Sequence, residues 1–507
     1  MNDRYDVIII GSGAGGSTLA HRLAGSGKRI AILERGQFIP RERENWDPAA
    51  VFEQRRYQAQ ESWTDAEGRP FRPYTHYCVG GNTKVYGAAL LRMRRHDFGP
   101  VRHHGGLSPA WPIGYDDLEP FYCEAERLYS VHGSRGADPT EPPASEPFPH
   151  PPLPAEPRIA ELYEDLHAVG LRPFPIPLGV RLEPRFRAEA PVRLAAFDGY
   201  PDPTETKADA HVSALRPAMS RRSVELLTGA RALRLDTDPS GRAVRSVLVE
   251  RDGRTFSLHA DLFILACGAI NSAALLLRSA SDRHPDGLAN ASGLVGRNYM
   301  CHQNGCLIAV SAAPNPSVFQ KHFGIADFYE RDPADPDFPF PLGLVQLMGK
   351  PDRATLAWLR ADALPGLSLG DIAARTIDFF LTAEDLPDPD NRVEVRPDGG
   401  IRIRYRPNNT LAYDRLRLRA TQALDAADRR RGLAPATYLH QRLDISGVSH
   451  QNGTLRFGLN PADSVLDIHC KAHDLDNLYA VDASFFPSSA AVNPSLTIIA
   501  NALRIGD

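Results

Sequence analysis

The first forty residues hold two short apolar runs, Tyr5 to Ile10 and Arg29 to Leu33, separated by glycines and by a stretch of helical composition from Ser17 to Ala24. Apolar runs this short, without alternating polar positions, predict parallel strands buried on both faces. A third run, Leu262 to Cys267, leads into Gly268 and a helix of alanines and leucines ending at Leu277. A further buried strand ends at Asp482, and Asn493-Pro494 stands at the entrance of a helix from Thr497 onward. Between these, Ser223 to Leu233 reads as an apolar strand and Arg242 to Leu258 as a hairpin. From Ile308 to about Leu439 the pattern changes to alternating strands, such as Arg392 to Val395 and Ile401 to Tyr405, with a helix over Asn409 to Arg430. Alternation with one polar face predicts a largely antiparallel sheet covered on one side by helices.

The chain is thus α/β: a doubly wound parallel domain assembled from several segments, with an interleaved α+β domain. The expected boundaries are 1–100, 210–307 and 440–507 for the first domain, and 101–209 with 308–439 for the second. Nine of the nineteen residues from Pro139 to Pro157 are proline, and Pro173, Pro175 and Pro177 continue the theme. Segment 139–177 is therefore expected to be an extended arm, lid or strap, because such a stretch holds neither a helix interior nor a central strand.

Composition narrows the partners. Lys+Arg 58 against Asp+Glu 62 leaves a formal net charge of −4, too weak a field to hold a polyanion, so nucleic acid is not expected. Only six of the basic residues are lysines. The six cysteines contain no C-x-x-C pair and are too sparse for a disulfide framework, and the N-terminal apolar run is shorter than a signal-peptide core. No stretch reaches transmembrane length. The expectation is a soluble cytoplasmic protein without nucleic-acid or membrane partners. Cys301, His302 and Cys306, or His469, Cys470 and His473, match no standard zinc spacing, so no metal is expected.

The chemistry lies in glycines. Gly11-Ser12-Gly13-Ala14-Gly15-Gly16 sits between a strand and a helix, with Glu34 closing the next strand. In that context a G-x-G-x-x-G binds a dinucleotide: Gly11 for the turn, Gly13 for close approach of a pyrophosphate, Gly16 for helix packing, and Glu34 for an adenosine ribose. A second glycine-rich segment, His76 to Ala89, contains Gly80-Gly81-Asn82-Thr83 and is followed by the basic cluster Arg92 to Arg95. Near the C-terminus come His450-x-x-Gly453-Thr454, Val481-Asp482-Ala483-Ser484 and Asn493-Pro494.

Together with Gly268-Ala269-Ile270-Asn271-Ser272 and Val295-Gly296-Arg297-Asn298, this ordered set resembles the glucose-methanol-choline (GMC) oxidoreductases, FAD enzymes that oxidise alcohols, and it spans residues 5 to 504. Val79 to Arg94, Val318 to Tyr329 and Phe485 to Asn501 look most like the branch of pyranose oxidases and sugar or C-glycoside 3-oxidases. The resemblance implies oxidation of a secondary sugar hydroxyl, at C2 or C3, with dioxygen or another acceptor reoxidising the flavin. It makes His450 the base and Asn493 its partner. Beside the residues already named it implies Ala14, Gly81, Asn82, Thr83, Val224, Gly268, Asp482, Ala483 and Pro494 as cofactor contacts. Arg94, Gln320, Asn391 and Arg392 are candidate substrate contacts. A hydroxyl is about as weakly acidic as water, near 15.7, and histidine titrates near about 6.5, so proton and hydride must leave together. Some sugar-oxidising members attach flavin through a histidine shortly after the double glycine. Valine stands at that place here, Val85, so FAD is expected to be non-covalent. Compared with fungal relatives, the short sequence between the second glycine loop and residue 210 leaves little room for a tetramer-forming arm, which implies a monomer or dimer. A non-sugar alcohol, or FAD binding without turnover, are the alternatives.

Overall fold

The computed structural model describes residues 3–351, 353–358 and 366–507. One sheet has the strand order Val224–Thr228, Ile30–Glu34, Arg4–Ile10, Arg254–Leu265, Val244–Arg251, Arg231–Thr237, with Leu478–Ala480 pairing the end of Arg254–Leu265. The first four strands and Leu478–Ala480 are parallel, as the unbroken apolar runs predict. Both faces are buried. Val7, Ile9, Ile30 and Ile32 pack on one side with Leu19, while Ile8, Ile10, Ala31 and Leu33 pack on the other.

Register aligns the ends of the parallel strands: Ile10 lies opposite Leu33 on one side and Leu265 on the other, and Leu265 opposite Ala480. The segments leaving these strands, at Gly11, Arg35, Ala266 and Val481, therefore emerge side by side at the carboxyl edge. That is where ligands bind in doubly wound sheets.

The segment Ser223 to Leu233, read as one strand, is two. They break at Gly229 and Ala230, and the second half starts the antiparallel meander Arg231–Thr237, Val244–Arg251, Arg254–Leu265. Two residues cannot span a flat sheet, so the meander must curl back over the parallel strands, with Arg254–Leu265 shared by both layers.

The second sheet is antiparallel throughout: Thr437–Arg442, Gln303–Val310, Thr376–Ala383, Leu344–Leu347, Phe323–Ile325, Pro173–Pro175. Its Leu307, Phe379, Leu381, Val345 and Leu347 face a core shared with Leu416, Ala420 and Leu424 of the long helix Thr410–Arg430. Side chains alternate between faces along a strand, so Cys306, Gln346 and Phe380, which stand opposite one another in register, belong to the other face. The proline-bearing strand Pro173–Pro175 is an edge, where its missing N–H costs no ladder bond. Arg392–Val395 and Ile401–Arg404 do not join this sheet. They form a separate four-stranded one with Trp63–Thr64 and Pro70–Phe71, because alternation fixes a strand's faces and not its partner. Among the described residues no helix is long and apolar enough to cross a membrane.

Candidate active site

A cavity of about 510 Å3 opens along the carboxyl edge of the parallel strands and extends to the polar face of the antiparallel sheet. Its first wall is the glycine turn. A Cβ added at Gly15 would lie 2.0 Å from the Val481 carbonyl oxygen, and one at Gly16 would lie 2.1 Å from that of Gly11, whereas one at Gly13 would meet no atom of the described residues within 4 Å. Gly15 and Gly16 therefore let helix Ala14–Leu23 press onto the strands. Gly13 leaves open space for a ligand to lie against backbone. That helix begins with no side-chain cap and no acidic residue in its first turn, and Ser495–Ile505 does the same beside Pro494. Two sets of unpaired N–H groups, each at a positive helix end, thus face the cavity and favour an anionic ligand.

Glu34 is buried at the far end of this wall. It accepts from Ser12 N (3.2 Å), Ser12 Oγ (2.6 Å) and Gly36 N (2.9 Å), leaving one of about four acceptor positions of a carboxylate for a ligand. Burial raises its pKa, against these three hydrogen bonds. The second glycine loop is tied to the first by Gly80 N donating to Ser12 Oγ (3.2 Å), and Asn82 Oδ1 accepts from His76 N (2.9 Å). Gly81, Asn82 and Thr83 line the cavity, as do Gly268, Asp482, Ala483, Asn493 and Pro494. Asp482 itself is spent on structure, accepting from Gly268 N (3.0 Å), Ser484 N (2.9 Å) and the Ser272 hydroxyl.

The opposite end is polar. His450 and Asn493 both line it. Asn493 Oδ1 accepts from Gln346 Nε2 at 2.9 Å, so the Asn493 amide N–H groups stay available, while Gln346 Oε1 is buried without a partner among the described residues. Lys321 Nζ is held by both oxygens of Asp198 (2.8 and 3.0 Å), and Gly349 N donates to the same carboxylate at 2.6 Å. Cys306 and Phe380 complete this wall, with the Phe380 ring edge-on to His450 at 6.0 Å. Behind His450 lies the buried His302, Nδ1 to Nδ1 at 3.0 Å. Burial, then His302 and Lys321, hold the His450 pKa well below 6.5, so the ring is neutral and can accept a proton.

The structure separates the other candidates from this site. Arg94 is 2% exposed and does not line the cavity; it is ion-paired with Asp138 and donates to Thr140 Oγ1 (2.9 Å) and the Arg92 carbonyl (2.6 Å). Gln320 is fully buried between Asp378 (2.6 Å) and Asn315 (3.1 Å). The next residue, Lys321, takes the cavity side, as alternation along an extended segment requires. Asn391 clamps the Arg406 backbone (3.0 and 2.7 Å), and Arg392 pairs with Glu394 at 2.9 Å. Val224 begins its strand opposite Ile30, at the end remote from the carboxyl edge, and Ala230, Arg231 and Ala232 line the cavity instead. Gly16 packs beneath the turn and does not line the cavity. Val85 lines it as a buried valine. Reading from sequence missed Gln346, Lys321, Asp198 and the pairing of His302 with His450.

An elongated cleft with a spare acceptor at Glu34, an open Gly13 and two uncapped helix ends fits a flavin dinucleotide. The N-terminal and C-terminal profiles of the GMC oxidoreductase family match residues 5–304 and 388–502. The chain belongs to the GMC oxidoreductase family. It is similar over 99% of its length to paromamine 6′-oxidase of Streptomyces fradiae, at 34% identity and 90% of that protein. It is also similar to the fructose dehydrogenase large subunit of Gluconobacter japonicus, at 26% identity over 99% of this chain and 97% of that one. Pyridoxine 4-oxidase from Mesorbium loti shares the fold, with a TM-score of 0.66 at 22% identity, covering 99% of this chain and 98% of that one. This GMC protein is accordingly an FAD-dependent oxidoreductase acting on CH–OH donors.

Proposed function

We propose that this GMC enzyme oxidises a hydroxyl of a sugar or glycoside, with His450 accepting the hydroxyl proton and Asn493 holding the alcohol oxygen. The observation that carries the sugar reading is the amide pair Gln346–Asn493, which lines the cavity together with His450 and leaves the Asn493 N–H groups unspent. Fixed polar groups that a plain alkanol leaves unpaired and a second hydroxyl satisfies discriminate far more strongly than apolar shape does. Lys321 and Asp198 add a fixed donor and acceptor on the same wall. The names of the relatives from Streptomyces fradiae and Gluconobacter japonicus support the same class.

Bound FAD supplies the two-electron acceptor for the hydride leaving the carbinol carbon. The protein's part is to take the proton and fix the geometry. His450, held neutral by its desolvated surroundings, accepts the proton from the hydroxyl oxygen as the C–H bond breaks, so no alkoxide need accumulate. The free N–H groups of Asn493 orient that oxygen, the proximity contribution to the rate.

The test is anaerobic flavin reduction across free sugars, O-glycosides, C-glycosides, amino sugars and simple alkanols, with the oxidised carbon located by NMR. Sugars should reduce the flavin well ahead of alkanols, and equal rates would overturn the sugar reading. Product analysis decides between the C2 or C3 position implied by resemblance and the 6′ position in the relative's name. His450→Ala should retain FAD while the reduction rate falls by about 10²–10⁴. An unchanged rate refutes the role given to His450.

A further inference from the structure

The two histidines at the reactive end are wired so that only one proton arrangement satisfies them. His302 is 1% exposed and sits at φ +61°, in the left-handed region, a strained conformation that in non-glycine residues clusters at functional sites. Its Nε2 lies 3.0 Å from the Ser489 carbonyl oxygen. A carbonyl only accepts, so Nε2 carries the hydrogen. The Ser489 carbonyl is itself well anchored, because Ser489 Oγ donates to the Asp385 carbonyl (2.9 Å) and Ala490 N to Glu384 Oε1 (3.0 Å). Burial lowers the His302 pKa, so the ring is neutral and its Nδ1 bears a lone pair. His450 Nδ1, 3.0 Å from His302 Nδ1, must then be the donor.

We infer that His302 is a positioning residue that holds His450 in the Nδ1-protonated form through the chain Ser489 carbonyl, His302, His450, leaving Nε2 as the atom that takes the substrate proton. This rests on the reading of His450 as base. The proton balance is simple. The alcohol O–H bond breaks, its hydrogen bonds to His450 Nε2, and the resulting imidazolium keeps its Nδ1–H donated to His302. That hydrogen bond becomes charge-assisted, the kind that strengthens most. No carboxylate is needed behind the base, and none within the described contacts of His450 takes that place. The same loop carries both ends of the device, since Ser489 lies four residues before Asn493.

The test uses holoenzyme carrying His302→Leu and His302→Gln. Leucine removes the acceptor. Glutamine restores it, with a carbonyl for His450 Nδ1–H and an NH2 for the Ser489 oxygen. Flavin reduction at saturating substrate should fall about tenfold to a hundredfold in His302→Leu, the range for a hydrogen bond to a charged group, with half-saturation little moved, and His302→Gln should recover most of it. In protein labelled with 15N-histidine, His450 should appear protonated at Nδ1 in wild type and His302→Gln and as mixed tautomers in His302→Leu. A wild-type rate in His302→Leu beside a crippled His450→Ala overturns the inference and spares the base assignment. A full rate in His450→Ala sinks that assignment instead, while the spectra, read without turnover, still decide the tautomer. Should His302→Leu fail to bind FAD, an Nε2-protonated His450 in the wild-type spectrum overturns the inference by itself.

Discussion

Arg94→Met separates a substrate-binding arginine from a structural one. In the structure the guanidinium is dry and pairs with Asp138, which is 7% exposed, while its Cζ lies 4.9 Å from the centroid of the Tyr329 ring. Methionine keeps the stem and deletes the charge, stranding the carboxylate. Removing one partner of a buried pair costs about 3–5 kcal/mol. Asp138 Oδ1 keeps two donors, Thr140 N and Thr140 Oγ1, both at 2.9 Å, which argues for the lower end. At about 2.1 cal/mol/K per residue, a chain of 507 residues unfolds with an entropy near 1 kcal/mol/K, so Tm should fall by about 3 °C. Asp138→Asn in the Arg94→Met background should recover most of that loss, because the stranded charge is gone. The assay is thermal unfolding of the holoprotein followed by flavin fluorescence, alongside substrate half-saturation in anaerobic reduction, which should stay within about twofold. A tenfold rise in half-saturation with an unchanged Tm would refute the burial argument and return Arg94 to the substrate.

Because burial holds the His450 pKa well below 6.5 and the base must be neutral to act, the acid limb of the flavin-reduction rate should lie below pH 6.5; stopped-flow rates across pH 4–8 check this, and a midpoint at or above 6.5 contradicts it. Gly13→Ala and Gly15→Ala should part company. A Cβ at Gly13 meets only ligand space, so the protein should fold and bind FAD more weakly. One at Gly15 strikes the Val481 backbone at 2.0 Å, so the yield of folded protein should collapse; equal behaviour by titration with FAD and circular dichroism would count against the cradle. With valine at residue 85, acid precipitation should release all the flavin to the supernatant, and a yellow pellet would show a covalent link elsewhere.

What the sequence makes legible here is local. The parallel strands, the glycine turn and the uncapped helices are each written within a dozen residues, since burial on two faces needs an unbroken apolar run and a close backbone approach needs glycine. Partnership across the chain is not written that way. His302 and His450 are 148 positions apart, and Arg392–Val395 alternates correctly for a sheet it does not join. Even neighbours mislead: Gln320 and Lys321 differ by one position and therefore by one face, so that the first is sealed behind the wall and the second is part of it.

One signal for Lys321 was present in the composition, in the scarcity of lysine. Arginine supplies nearly all the surface cation, as in the pairs Arg95–Asp116 and Arg242–Asp476. The remaining lysines fall mostly inside: Lys84 on Asp209, Lys207 on the carbonyls of Phe197 and Tyr200, Lys321 on Asp198, and Lys350 on the cavity wall. An ammonium is a compact point charge with three donors that rotate to suit, whereas a guanidinium needs a planar fork of acceptors. Beside Gly87, where an added Cβ would lie 2.1 Å from Asp198 Oδ1 and 2.2 Å from Lys321 Nζ, there is no room for the fork. The glycine in the second loop and the lysine on the far wall are thus one feature. Together they fix a charge pair that offers a polyol a donor and an acceptor on the wall shared with His450, and its ammonium helps to keep that imidazole neutral.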